Sequence, residues 1–205
     1  STSECATGYE NGGANICMPL GECAPGFVAE DQGDGTQACA GLALTVADGE
    51  SITIAEETAY ANVVVQGGGE LIINDTLIVN GNMTIEAMGT VTHDEGVGGV
   101  MLSVSGQLEI ELTGAIDLTG KGLAPGESMD PMTGLVIDVS HDYNHCGGSN
   151  GGLGGCHDSN LQPSVYGSAR APSWLGGGGI SPAAGAGGGA MMVEAGTLLL
   201  NGQIM

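Results

Sequence analysis

Six cysteines, four histidines and a scatter of Asp-Gly pairs are the residues of this chain best equipped for chemistry. The cysteines are Cys5, Cys17, Cys23, Cys39, Cys146 and Cys156. Their number is even and none forms a Cys-x-x-Cys pair, which argues against zinc ribbons and thioredoxin-like redox sites. Cysteines at such separations read as disulfides, and disulfides imply an oxidising compartment, so the chain is expected to be secreted or displayed on a cell surface. Cys146 and Cys156 lie ten residues apart in Gly-rich chain that closes easily. The other four sit in an internal repeat, Cys5-Ala-Thr-Gly-Tyr9 to Cys17 and Cys23-Ala-Pro-Gly-Phe27 to Cys39. The repeat favours Cys5–Cys17 and Cys23–Cys39 among the possible connectivities.

His141, His145 and His157 flank the Cys146–Cys156 loop and could converge on Zn²⁺ or Cu²⁺; the simpler reading is exposed loop histidines. Oxygen donors are better supplied. Asp31 and Asp34 stand in Asp-Gln-Gly-Asp-Gly, Asp94 and Glu95 precede Gly96, and Asp138, Asp142 and Asp158 surround the Cys loop. Glycine turns let carboxylates and backbone carbonyls converge, so calcium is the expected cofactor, although many Asp-Gly pairs are only turns. No enzyme is expected. Glycan cleavage needs a carboxylate pair with a base or an arginine and aromatic platforms. Arg170, Trp174, Tyr166 and Tyr143 are the whole supply. Residues 114–122 lack phosphate-loop spacing. Asn74-Asp-Thr76 and Asn82-Met-Thr84 are glycosylation sequons by pattern.

Charge narrows the partners. Twenty-four Asp and Glu face only Lys121 and Arg170, for a formal charge of −22. Nothing can neutralise a phosphate backbone or an anionic membrane, so nucleic acid is excluded as a partner. No run reaches the ~20 apolar residues of a membrane span. The first residue is Ser1, which fits a processed, mature chain.

The elements that must position these residues read as short strands. Asn62–Val65, Glu70–Ile73, Thr76–Val79, Thr90–Thr92, Val100–Val104 and Gln107–Leu112 alternate apolar and polar residues, and Gly, Asn and Asp break them. Asn-Gly breaks also suit hairpins, so a meander or sandwich is the competing arrangement. Asn62-Val-Val-Val and Asn82-Met-Thr-Ile recur twenty residues apart. A period of that size suggests stacked coils, a parallel β-helix or β-solenoid. A narrow interior also accounts for an aromatic content of 3%. Expected organisation is a disulfide-stapled module over 1–40 and a β-solenoid over 41–205. A Gly-rich insertion at about 140–190 precedes the last strands, Met191–Glu194 and Thr197–Ile204.

Residues 147–155 (Gly-Gly-Ser-Asn-Gly-Gly-Leu-Gly-Gly), then Tyr166-Gly-Ser168, Gly176 to Gly179 and Gly188 to Ile204, resemble a signature of large secreted bacterial β-helix proteins. Asn150 stands where that signature carries His, and Cys146 and Cys156 are additions. The resemblance implies a β-helix at the cell surface and no single activity. With it comes the expectation of a structural or adhesive subunit that stacks end to end into a filament. Leu198, Leu200, Ile204 and Met205 would form the contact, because open coil ends template pairing with another chain. The alternative is a glycan-binding or glycan-cleaving β-helix, and other surface proteins or glycans are the further partners expected.

Overall fold

The computed structural model describes residues 9–11, 17–19, 23, 25–31, 37–139, 146–156, 164–170, 173–180 and 184–205. Two antiparallel hairpins come first: β1 (Tyr9–Asn11) with β2 (Cys17–Pro19), and β3 (Phe27–Asp31) with β4 (Gln37–Gly41). Parallel strands follow: β5 (Ala43–Val46), β6 (Ser51–Ile54), β7 (Thr58–Tyr60), β8 (Asn62–Val65), β9 (Glu70–Ile73) and β10 (Thr76–Val79). They continue with β11 (Met83–Ile85), β12 (Thr90–Thr92), β13 (Val100–Ile110) and β14 (Ala115–Ile116). A third hairpin, β15 (Glu127–Met129) with β16 (Val136–Asp138), stands apart before β17 (Met191–Leu200) and β18 (Gln203–Ile204) rejoin the parallel set.

Alternation decides which side chains turn inward, since successive residues of a strand face opposite ways. Val63 and Val65, Leu71 and Ile73, Leu77 and Val79, and Leu108 and Ile110 are all buried. Register lines them up: Leu44, Val63, Met83, Leu108 and Leu198 are successive partners across five strands. Ile52, Leu71, Val91, Ile116 and Ile204 form the matching row on the facing sheet. As far as Leu108 and Ile116 the two rows meet in one apolar core, beyond which Leu198 and Ile204 are exposed; each fully buried side chain in the core contributes about 1.5–3 kcal/mol.

Turns are stacked as regularly as strands. Gly49, Gly68, Met88 and Thr113 all have positive φ, at 73°, 84°, 67° and 71°. The amide of each of the first three donates to the carbonyl of the next, at 3.1 to 3.2 Å. Asparagine amides tie another corner: Asn62 Oδ1 accepts from the Asn82 amide, and Asn82 Oδ1 from the Gln107 amide, both at 2.9 Å.

The all-β class stands, but the expected β-solenoid is corrected. The sequence suggests a break at Ser105-Gly106; instead β13 runs unbroken for eleven residues. Its first half pairs with β10, its second half with β11, and its whole length with β17, with a bulge between Val104 and Gln107. The Asn82 side chain and the Gly81 carbonyl bridge the place where a break was expected. Two ladders thereby fuse into one seven-stranded sheet, six strands in the order β5-β8-β11-β13-β10-β7 with β17 paired beside β13, facing a five-stranded sheet β18-β14-β12-β9-β6. The arrangement is a nearly closed, crossover-connected parallel β-barrel and not an open β-solenoid or β-helix. The resemblance to secreted β-helix proteins is corrected with it, as is the filament-forming, adhesive subunit, which needs the stackable ends of an open solenoid.

Of the disulfide-stapled module expected over 1–40, the described residues show the two hairpins, and the expected pairings Cys5–Cys17 and Cys23–Cys39 fall outside what is described. Among the described residues, the disulfide with both cysteines in view is Cys146–Cys156, far from that segment. Cys23 is also disulfide-bonded, Cys17 and Cys39 lie in β2 and β4, and Cys5 falls outside the described residues. Residues 25 and 26 lean on the barrel: the Leu42 amide donates to the Gly26 carbonyl and Asn80 Nδ2 to the Pro25 carbonyl, both at 2.7 Å.

Candidate functional site: a glycine-built layer and its recess

The Gly-rich stretch packs as a thin layer against residues 118–127. Its backbone groups pair across segments: the Gly122 amide donates to Gly187 O, Gly187 to Leu123 O, Leu123 to Gly176 O and Gly176 to Gly188 O, at 2.8–2.9 Å. Such an interior demands glycine. A Cβ at Gly187 would run into the Gly176 carbonyl, and one at Gly148 into the Gly177 carbonyl. Backbone hydrogen bonding replaces side-chain packing here, which is how a segment with so few large side chains keeps a fixed shape. The layer joins the barrel where the Gly189 amide reaches Leu118 O and the Val100 amide reaches Ala190 O.

Four residues pin the layer. Cys146 and Cys156 are disulfide-bonded and also bridge as a strand pair. Tyr166 is buried at 3% exposure, and its hydroxyl donates to Leu175 O at 2.8 Å. Burial pushes the Tyr166 phenol up to about 12, so it stays protonated and a donor. Asn150 Nδ2 donates to Trp174 O and Leu175 O, each at 3.0 Å. A small second core of Leu123, Met129, Tyr166 and Leu175 forms beneath.

Above this framework opens a recess of about 350 Å³, lined by Asn150, Trp174, Gly176, Gly188, Gly189, Ala190 and Met191. Trp174, the single tryptophan of the chain, is 40% exposed. The lining therefore offers one indole, one carboxamide, two apolar residues in Ala190 and Met191, and glycine backbone. No acid, histidine, lysine or arginine belongs to it.

Directly under Gly189 lies His93, fully buried, with Nδ1 bonded to Asp94 O at 2.8 Å and no hydrogen-bond partner at Nε2. Burial first, with Lys121 adding repulsion, lowers its basicity; the Asp94 and Val97 backbones and the Asp94 charge oppose this. Sequence reasoning missed His93. The available signal was its position next to Thr92, where the burial of β12 continues beyond the strand.

Other residues singled out from the sequence lie elsewhere. Asp94 and Glu95 sit in a turn, where Asp94 Oδ2 accepts from Asn74 Nδ2 at 2.6 Å and the Asp94 amide donates to Asn74 Oδ1 at 2.9 Å. That pairing occupies the first sequon, and the Gln107 amide occupies Asn82 Oδ1 in the second. Asp138 ends β16, and Asp31 ends β3. Asp34, Asp142 and Asp158 lie outside the described residues, as do Tyr143 and the three loop histidines His141, His145 and His157. Among the described residues no three of His, Cys, Asp and Glu gather to hold a metal ion. Arg170 is exposed and its amide bonds to Ser168 Oγ, away from the recess lining. Leu198, Leu200, Ile204 and Met205 are exposed along β17, β18 and the residue after them. Among the described residues no helix is long and apolar enough to cross a membrane. Comparison with protein-family models, curated proteins and solved structures finds no match.

Proposed function

We propose that this chain is a secreted, non-catalytic binding protein whose glycine-built layer receives a neutral glycan unit in the Trp174 recess. The exposed Trp174 indole carries the reading. A tryptophan face in a shallow cavity offers a flat apolar surface to the C–H face of a sugar ring, while Asn150 Oδ1 and the glycine carbonyls offer hydrogen-bond acceptors at the rim. A lining of glycine leaves space that larger side chains would fill.

Charge selects within glycans. At −22 the protein repels uronates and sulfated sugars over a Debye length, so a neutral polysaccharide is favoured. Binding without turnover suits a lining that has no acid–base pair. The Cys146–Cys156 bond supports an oxidising, extracellular setting. The test is retention on immobilised neutral polysaccharides, compared with uronate polymers at the same ionic strength. Retention by the neutral matrix, lost in Trp174→Ala, is the expected result. Equal retention of the Trp174→Ala variant rejects the recess as the site.

A further inference from the structure

Resting on that reading of the recess, we infer that the turn of the β15–β16 hairpin is the positioning element for Trp174, with Gly134 as the residue that sets the indole's orientation. The hairpin stands outside the barrel sheets. Its turn is closed three ways by Asp130: the carboxylate accepts from the Met132 amide at 2.8 Å, the carbonyl from the Gly134 amide at 2.8 Å, and the amide donates to Leu135 O at 2.9 Å. The Met132 amide also holds the Asp130 carboxyl below its ordinary range, so it stays charged and keeps accepting.

This closed turn delivers Gly134, at φ 68°, to the benzo edge of the Trp174 ring. A Cβ there would lie 2.8 Å from Cη2 and 3.3 Å from Cζ3. The opposite edge of the ring is bounded by Gly167, whose Cβ would fall 3.6 Å from Cδ1. Asn150 holds the Trp174 carbonyl. Backbone and both ring edges are thereby held, and the indole is ordered before any ligand arrives. Pre-ordering of this kind raises affinity by removing a rotamer cost from binding. Gly134 acts through Trp174 and touches no ligand itself; it is a positioning residue.

Gly134→Ala separates this role from simple strain because Gly120 provides a matched control. Gly120 has the same φ of 68° and no atom within 4 Å of an added Cβ. Gly120→Ala therefore carries the backbone penalty without touching an indole. The single tryptophan makes fluorescence a direct report on Trp174 in the ligand-free full chain. Gly134→Ala is expected to change the emission maximum and raise acrylamide quenching well beyond Gly120→Ala, and to weaken neutral-oligosaccharide binding by about tenfold. Asp130→Asn, a milder loosening of the same turn, should shift quenching in the same direction with the thermal midpoint close to wild type. Unchanged fluorescence in Gly134→Ala and Asp130→Asn overturns the inference, as do equal shifts in Gly134→Ala and Gly120→Ala. If wild type binds no glycan while the ligand-free fluorescence responds as stated, the binding reading fails and the positioning role stands.

Discussion

The ring of His93 lies beneath Gly189 with no room between them for a Cβ, so a buried imidazole forms the seat on which the glycine layer rests. Its Nε2 has no partner, and a protonated ring there would carry an unsatisfied buried charge. The folded-state basicity of His93 is lowered from 6.5, so the unfolded chain takes up this proton first. Stability from His93 is therefore full above about pH 6.5 and is lost as pH falls below it. Asp117 and Asp130 are also lowered, but from 3.8, so their contributions fade in a separate and more acidic window. Thermal midpoints of wild type and His93→Leu, measured from pH 7.5 to 4.5, should converge as the pH drops. Parallel curves would remove His93 from the account.

Met88 and Thr113 hold a left-handed backbone that glycine adopts freely at the same position in the neighbouring turns, Gly49 and Gly68. Thr113→Gly should stabilise the chain by about 1 kcal/mol, and Met88→Gly by somewhat less, because the β-branched residue fits this region worst. Urea unfolding at constant m-value measures both. A loss of stability in Thr113→Gly would mean that its side chain contributes more than its backbone costs.

Asn150→Ala removes a donor from two carbonyls, those of Trp174 and Leu175, of which the second keeps the Tyr166 hydroxyl. The expected cost is about 2 kcal/mol, and Tyr166→Phe, which removes one buried bond to the same Leu175 carbonyl, should cost about 1 kcal/mol. Because each donor still holds the Leu175 carbonyl when the other is removed, the double variant should cost more than the sum of the singles. A double-mutant cycle that is strictly additive would argue that the two anchors work independently.

Reduction of Cys146–Cys156 should cost about 2–4 kcal/mol by freeing the loop in the unfolded chain. The loss should fall on the glycine layer first, because the barrel core shares no residue with it. Trp174 fluorescence is expected to change at lower denaturant than far-ultraviolet circular dichroism in the reduced protein. Coincident transitions would show that layer and barrel unfold as one unit.

Strands were legible because alternation is local. Asn62–Val65, Glu70–Ile73 and Thr76–Val79 are strands over the residues that the alternation marks. The architecture was not legible, because it turns on one continuation. Ser105-Gly106 has the chemistry of a break, yet the Gly81 carbonyl and the Asn82 side chain, more than twenty residues away in sequence, carry β13 through it. That continuation joins two ladders into one sheet. The glycine layer was visible as composition, and Asn150, Tyr166 and Trp174 were noticed singly. Their convergence depends on backbone pairs such as Gly176 with Gly188 that no side-chain pattern encodes. His93 was hidden for a related reason: what buries it is a glycine nearly a hundred residues away.

Neutral-glycan binding at Trp174 is tested most directly by titrating the single tryptophan with neutral oligosaccharides, and with uronate oligomers of the same length, at fixed pH and ionic strength. The expected result is a saturable change in Trp174 emission with the neutral series, weak or absent with uronates, and no calorimetric binding of the neutral series by Trp174→Ala. A flat emission in the neutral series, or calorimetric binding undiminished in Trp174→Ala, contradicts it.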